Sequence, residues 1–161
     1  MPRFRAAHTP QVALEFALRG DYIPRQEAFV TRIAHSVLDS AQGLRVEIQN
    51  GRHRLTADEP VSAGGGDAGP SPYQLLLSSL AACTAMTLRM YADRKGWTLG
   101  NIHVDLELHK DGEDSTGTIK RVLSFSAPLS EEQRQKLAAI AEKTPVTRTV
   151  RAGAPIATEI R

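Results

Sequence analysis

Cys83 is the only cysteine in a chain of 161 residues, and as a thiolate it would be a potent nucleophile. A lone thiol closes no internal disulfide and builds no paired-cysteine metal site. Its chemistry therefore reduces to nucleophilic attack, oxidation to a sulfenic acid, or none. On an apolar helix a free cysteine also serves as a small packing residue, so residue type alone leaves catalytic and inert readings open. Other chemistries find less support. The five histidines, His8, His35, His53, His103 and His109, are scattered and form no pair at i, i+4, so no metal site is expected. Gly64-Gly65-Gly66 ahead of a helix suggests a phosphate cradle, but neither G-x-x-x-x-G-K-[ST] nor G-x-G-x-x-G after a strand is present;. The stretch reads instead as a flexible connector. There is no G-x-S-x-G elbow for a serine hydrolase;. No cofactor is expected.

The elements that position Cys83 follow from periodicity. Residues 29–38 alternate and are rich in β-branched side chains, which predicts a strand. Residues 44–48 and 53–56 alternate around Asn50-Gly51, a dipeptide suited to a type I′ turn, and predict a hairpin. These strands make a three-stranded meander that must bury one face. After the loop 62–70, Ser71 as N-cap and Pro72 at the first turn predict a helix over residues 72–94. Its apolar residues cover nearly every face, so it reads as a central, buried helix with Cys83 in its middle.

Residues 102–108 and 118–125 predict a second hairpin. Ser130-Glu131-Glu132-Gln133 is a capping-box pattern that opens a helix ending near Lys143, because Pro145 follows. Residues 146–150 and 155–160 read as closing strands. The fold class is α+β: an N-terminal extension over residues 1–26 and a single domain over residues 27–161.

Composition adds exclusions. The formal net charge is +2, aromatic residues make up 5 %, and basic residues are not clustered, so no nucleic-acid partner is expected. The uncharged stretch between Asp67 and Arg89 carries prolines and hydroxyl residues, and no membrane span is expected from it. One cysteine and the absence of a signal-like apolar run behind Met1-Pro2-Arg3-Phe4-Arg5 predict a reducing cytoplasm.

Asp58-Glu59-Pro60, the run from Gly64 through Gly69-Pro70-Ser71-Pro72-Tyr73-Gln74-Leu75, then Leu80-Ala81-Ala82-Cys83-Thr84-Ala85-Met86, and Thr144-Pro145-Val146-Thr147-Arg148 resemble the OsmC/Ohr proteins. These are the osmotically inducible and organic hydroperoxide resistance proteins. The resemblance runs from about residue 29 to the end. It implies an intertwined homodimer with its site at the subunit interface, and a thiol-dependent peroxidase. In this scheme Cys83 matches the attacking cysteine, a small hydroperoxide is the substrate and a small dithiol the reductant. The position matching the resolving cysteine is Thr144, which has no thiol, so an external thiol must resolve the sulfenic acid. Where the hydroperoxide branch has a glutamate, this chain has Tyr73. The alternatives are a thiol sensor, or a dimer of the same fold that binds a small apolar ligand without turnover.

A thiol three turns into a helix lies beyond the reach of the macrodipole, so a cation must favour the thiolate. Arg45, Arg54 and Arg148 are the candidates. Tyr73, Met86, Thr144 and Arg148 are the expected pocket residues. Thr144 offers either its hydroxyl near Cys83 or a stop for the preceding helix. Asp58 and Glu59 either orient an arginine or stand solvated at a strand end.

Overall fold

Ser71 and Gln74 fix where the longest element begins. In the computed structural model, which describes residues 32, 34–40, 43–112 and 115–161, the Ser71 side chain accepts from Gln74 N while the Gln74 side chain accepts from Ser71 N;. Pro72 occupies the first turn, where a missing N–H costs nothing. Helix α1 spans Pro72–Lys95 and ends on Gly96, whose φ of 65° is a left-handed cap;. Strands β4 (Ile102–His109) and β5 (Thr118–Phe125) then form an antiparallel hairpin, with Ile102 opposite Phe125 and His109 opposite Thr118. A second capping box, Ser130 with Gln133, starts α2 (Glu131–Ala141), and α3 (Pro145–Ala152) follows. The α+β class, and the order of elements as far as α2, are those the sequence predicts.

The core lies where α1, α2 and the second hairpin meet. Leu88, Ala92, Leu99, Leu137 and Ala141 are buried there, flanked by Tyr91, Trp97, Leu123 and Phe125. Each buried leucine contributes about 1.5–3 kcal/mol of transfer free energy. Tyr91 and Trp97 meet edge to face with centroids 5.6 Å apart, the arrangement that the ring quadrupoles favour.

Only one stripe of α1 enters this core. Leu80, Thr84, Leu88 and Ala92, spaced by four, are buried, whereas Met86 and Met90 on the other side are 65 % and 56 % exposed. The helix is long and apolar enough to cross a membrane by length and composition, an 18-residue stretch of it having a mean hydropathy of 1.3. Packing of its inner stripe on β4, α2 and α3 makes it a core helix with an uncovered outer face. The expectation of burial all round is thus corrected.

Strands β1 (Val37–Asp39), β2 (Val46–Asn50) and β3 (His53–Ala57) form the meander in that order. Asn50 pairs with His53, so the turn residues are Gly51 and Arg52, and of these only Gly51 has positive φ, at 61°. That is the pattern of a II′ turn and not of the expected I′. Of the predicted strand over residues 29–38, residues 29–31 and 33 lie outside the described residues, as does the extension 1–26, while 32 and 34–36 are not strand. The meander packs substantially on none of the helices of its own chain, contrary to expectation. Val37, Leu38, Leu44 and Leu55 stay 44–50 % exposed.

Two closing strands were expected and neither is present among the described residues. Residues 146–150 lie within α3, because the Thr144 side chain accepts from Thr147 N and Pro145 sits in the first turn. These local start signals override the β-branched composition. Residues 153–161 carry no strand, and Ile156 and Ile160 are 90 % and 94 % exposed.

The glycine loop is organised and not a free connector. Asp58, 4 % exposed, accepts from the backbone N–H groups of Glu59, Gly66 and Ala68 at 2.8, 2.9 and 3.2 Å. These bonds, that of Ala68 foremost, hold its carboxyl below the usual carboxylate range;. Asp58 therefore orders the loop and is not solvated at a strand end.

Close approach fixes the glycines in this loop. A Cβ on Gly65 would lie 1.9 Å from Glu59 O, whereas one on Gly51 would meet nothing within 4 Å. Gly65→Ala is predicted to cost more than about 2 kcal/mol through forced backbone movement, and Gly51→Ala about 1 kcal/mol from its positive φ alone. Urea denaturation midpoints check the order, and equal losses would show the loop to be pliable.

Candidate functional site

Thr84, the residue after Cys83, leads into a polar cluster inside the domain. Its hydroxyl donates to Leu80 O at 2.7 Å and accepts from Arg121 Nη1 at 3.1 Å. The same Nη1 donates to Thr147 Oγ1 at 3.1 Å, and Arg121 Nη2 donates to Glu142 Oε1 at 2.8 Å. Thr147 also lies 2.7 Å from Thr144 Oγ1, and its hydroxyl donates to Ala141 O at 3.1 Å. Arg151 closes the cluster through Glu142 Oε2. Arg121, its side chain only 11 % exposed, thus ties α1, β5, the end of α2 and α3 to one guanidinium.

Sequence reasoning missed Arg121 and Glu142, although a signal was there. Ile119, Arg121, Leu123 and Phe125 are the alternating inward positions of β5. An arginine on an otherwise apolar strand face needs buried partners.

Cys83 lies on the flank of α1. One residue turns a helix by about 100°, so Cys83 faces away from the line of Thr84. At helical spacing it shares the outer side with Met86 and Met90. Its thiol is free and half-buried, not enclosed as expected. Met86 lies beside it on the exposed face.

The other predicted site residues scatter. Arg45 and Arg54 stand on or next to the meander, exposed. Arg45 donates to Glu47 Oε1 at 2.8 Å, and with the Thr56 hydroxyl and the more distant charge of Arg54 it holds the Glu47 carboxyl low. Tyr73, 54 % exposed, receives Lys110 over its ring at 5.6 Å and at its hydroxyl at 3.5 Å. Thr144 is buried and begins α3, so it caps the next helix in place of merely stopping the previous one. Arg148 is exposed on α3. Within one chain, then, the structure brings Thr144 into the Arg121 cluster and leaves Cys83 and Met86 on an uncovered face. Among the described residues no group of three or more His, Cys, Asp or Glu could hold a metal ion.

The comparisons agree with this architecture. The family model described as OsmC-like protein matches residues 64–159. No curated protein matches the chain. A structure from Psychrobacter arcticus, described as an osmotic stress induced and detoxification response protein, superposes with a TM-score of 0.67 at 17 % identity, covering 75 % of this chain and 90 % of that one. The organic hydroperoxide resistance protein OhrB of Bacillus subtilis gives 0.56 at 23 % identity, over 76 % and 93 %. An organic hydroperoxide resistance protein OsmC from Legionella pneumophila gives 0.56 at 21 %, over 74 % and 90 %. At these identities the likeness is one of fold.

The cluster carries a pH signature. Hydrogen bonds from Arg151 first, and also from Arg121, hold the Glu142 carboxyl below its ordinary 4.5. A folded-state pKa below the unfolded one means that the unfolded chain takes up the proton first as pH falls. The contribution is full above 4.5 and is lost as pH drops through the lowered folded value. Thermal melts should show Glu142→Gln less stable than wild type at neutral pH, with the gap narrowing below about pH 4. A gap that stays constant with pH would contradict the assignment.

Proposed function

The chain belongs to the OsmC-like protein family, and from that premise we propose that it is a redox protein of the stress response in which Cys83 reduces organic hydroperoxides. The observation that carries this reading is the half-buried thiol on an uncovered apolar helix face. Such a face gives an alkyl hydroperoxide apolar surface beside a nucleophile, and the solved hydroperoxide resistance proteins share this fold.

The chemistry balances with an external dithiol. The Cys83 thiolate attacks the terminal peroxide oxygen, the O–O bond breaks, and the departing alkoxide leaves as the alcohol after protonation. Cys83 is then a sulfenic acid. Thr144 offers no second thiol, so one sulfur of a small dithiol attacks Cys83, releasing water and forming a mixed disulfide. The second sulfur displaces the Cys83 thiolate and closes the dithiol to its own disulfide. A reducing compartment, such as the cytoplasm, suits this cycle.

The working unit is a homodimer. A meander that, among the described residues, packs substantially on no helix of its own chain and a helix with an uncovered outer face complement each other across two copies. Laid over α1 of a second copy, the meander would bury the exposed Val37, Leu38, Leu44 and Leu55 and carry Arg45 or Arg54 toward Cys83. A guanidinium there within about 4–6 Å favours the thiolate.

Purified protein given cumene hydroperoxide and excess dithiothreitol should consume peroxide, and Cys83→Ser should lower the rate at least about a hundredfold, the scale of losing the nucleophile. A wild type that consumes none would overturn the peroxidase reading. Light scattering should give about twice the 17.5 kDa chain mass. Met86→Glu, which puts a charge into the proposed interface, should shift the mass toward the monomer and lower turnover with it. A monomeric wild type would remove the dimer from the mechanism.

A further inference from the structure

Beside the Arg121 cluster opens a cleft of about 730 Å³ lined by Leu80, Ile119, Arg121, Glu142, Val150 and Arg151 among others. Leu80 of the buried stripe of α1 lines it, and Cys83 is not among its lining residues. Its volume is that of a small-molecule site. Its charge is unbalanced, since among the described residues the lining holds two guanidinium groups and a single carboxylate.

The donors are unbalanced as well. A guanidinium carries five N–H groups. Among the described residues, Arg121 gives two from Nη1 to Thr84 and Thr147 and one from Nη2 to Glu142, which leaves Nε–H and the second Nη2–H. Arg151 gives one, from Nη2, to Glu142. Glu142 has one oxygen on each arginine, and among the described residues no second carboxylate is in the lining. The Arg121 side chain, 11 % exposed, is desolvated, which strengthens any charge-assisted bond made there.

We propose that this cleft binds a small organic monocarboxylate, its head taken by the spare donors of Arg121 and Arg151 and its short alkyl part lying along Leu80, Ile119 and Val150. One surplus positive charge calls for a monoanion. The planar fork of arginine fits a planar carboxylate, and the apolar wall fits a chain of a few carbons, which inorganic phosphate lacks.

Isothermal titration of the full chain with sodium hexanoate, hexanol and inorganic phosphate tests this. Hexanoate should bind, hexanol should bind at least about tenfold more weakly for want of the charge, and added salt should weaken hexanoate. Arg151, 64 % exposed, can be changed with little risk to folding. Arg151→Gln should weaken hexanoate about tenfold. Glu142→Gln, which removes the competing carboxylate and raises the cleft charge, should tighten it several-fold. A purely structural cluster would give no gain in that variant. No heat with hexanoate, equal binding of hexanol, an unchanged Arg151→Gln or tighter binding of phosphate would each overturn the proposal.

Discussion

One guanidinium holds the helical half of this domain in register. Arg121 enters from the inward face of β5 and hydrogen-bonds to Thr84 of α1, Thr147 of α3 and Glu142 at the end of α2. A charge buried to this degree is tolerable only when its donors are met. The surroundings meet three of its five N–H donors: the threonine hydroxyls are themselves anchored on Leu80 O and Ala141 O, and among the described residues no buried side-chain nitrogen or oxygen lacks a partner. Because the three partners sit on three helices, the bond geometry sets how α1 and α3 lie against the hairpin.

That orientation decides which side of α1 faces out. With Thr84 turned inward, the buried stripe runs Leu80, Thr84, Leu88, Ala92, and Cys83 is left on the flank beside Met86 and Met90. The reactive candidate therefore owes its accessibility to a residue 37 positions away from Thr84 in the chain. The same geometry separates two kinds of site. The outer face is apolar and carries the thiol; the inner cleft has two guanidinium groups among its described lining residues and is bordered by β5 and α3.

A second ordering device works at the other end of α1. Asp58 gathers three backbone N–H groups of the glycine loop, and Asp58 N in turn donates to Pro70 O at 3.4 Å. The chain thus leaves β3, folds back and delivers Ser71 to its capping position in a defined direction. The glycines serve close approach of backbone to backbone: a Cβ on Gly69 would lie 2.3 Å from Thr56 O. What looks in composition like slack is a tightly bonded turn.

The sequence by itself determined the elements whose signals are local. Ser71 with Gln74 and Ser130 with Gln133 mark helix starts because a capping box is closed within four residues, and the alternation of residues 102–108 and 118–125 reports a half-buried hairpin because side chains on a strand alternate. The run from Gly64 through Met86, read whole, was enough to place the family. What only the tertiary structure decided depends on partners distant in sequence. Residues 146–150 are β-branched yet helical, since Thr144 caps them and Thr147 is bonded into the Arg121 cluster. An all-apolar helix gives no hint of which stripe packs, so the outward position of Cys83 was not legible. Arg45, Arg54 and Arg148 were sensible cations by type, but periodicity assigns a residue a face and not a neighbour. The arginine that the fold selected for its interior was Arg121, because among the described residues only there does a strand carry the charge to two hydroxyls and a carboxylate at once.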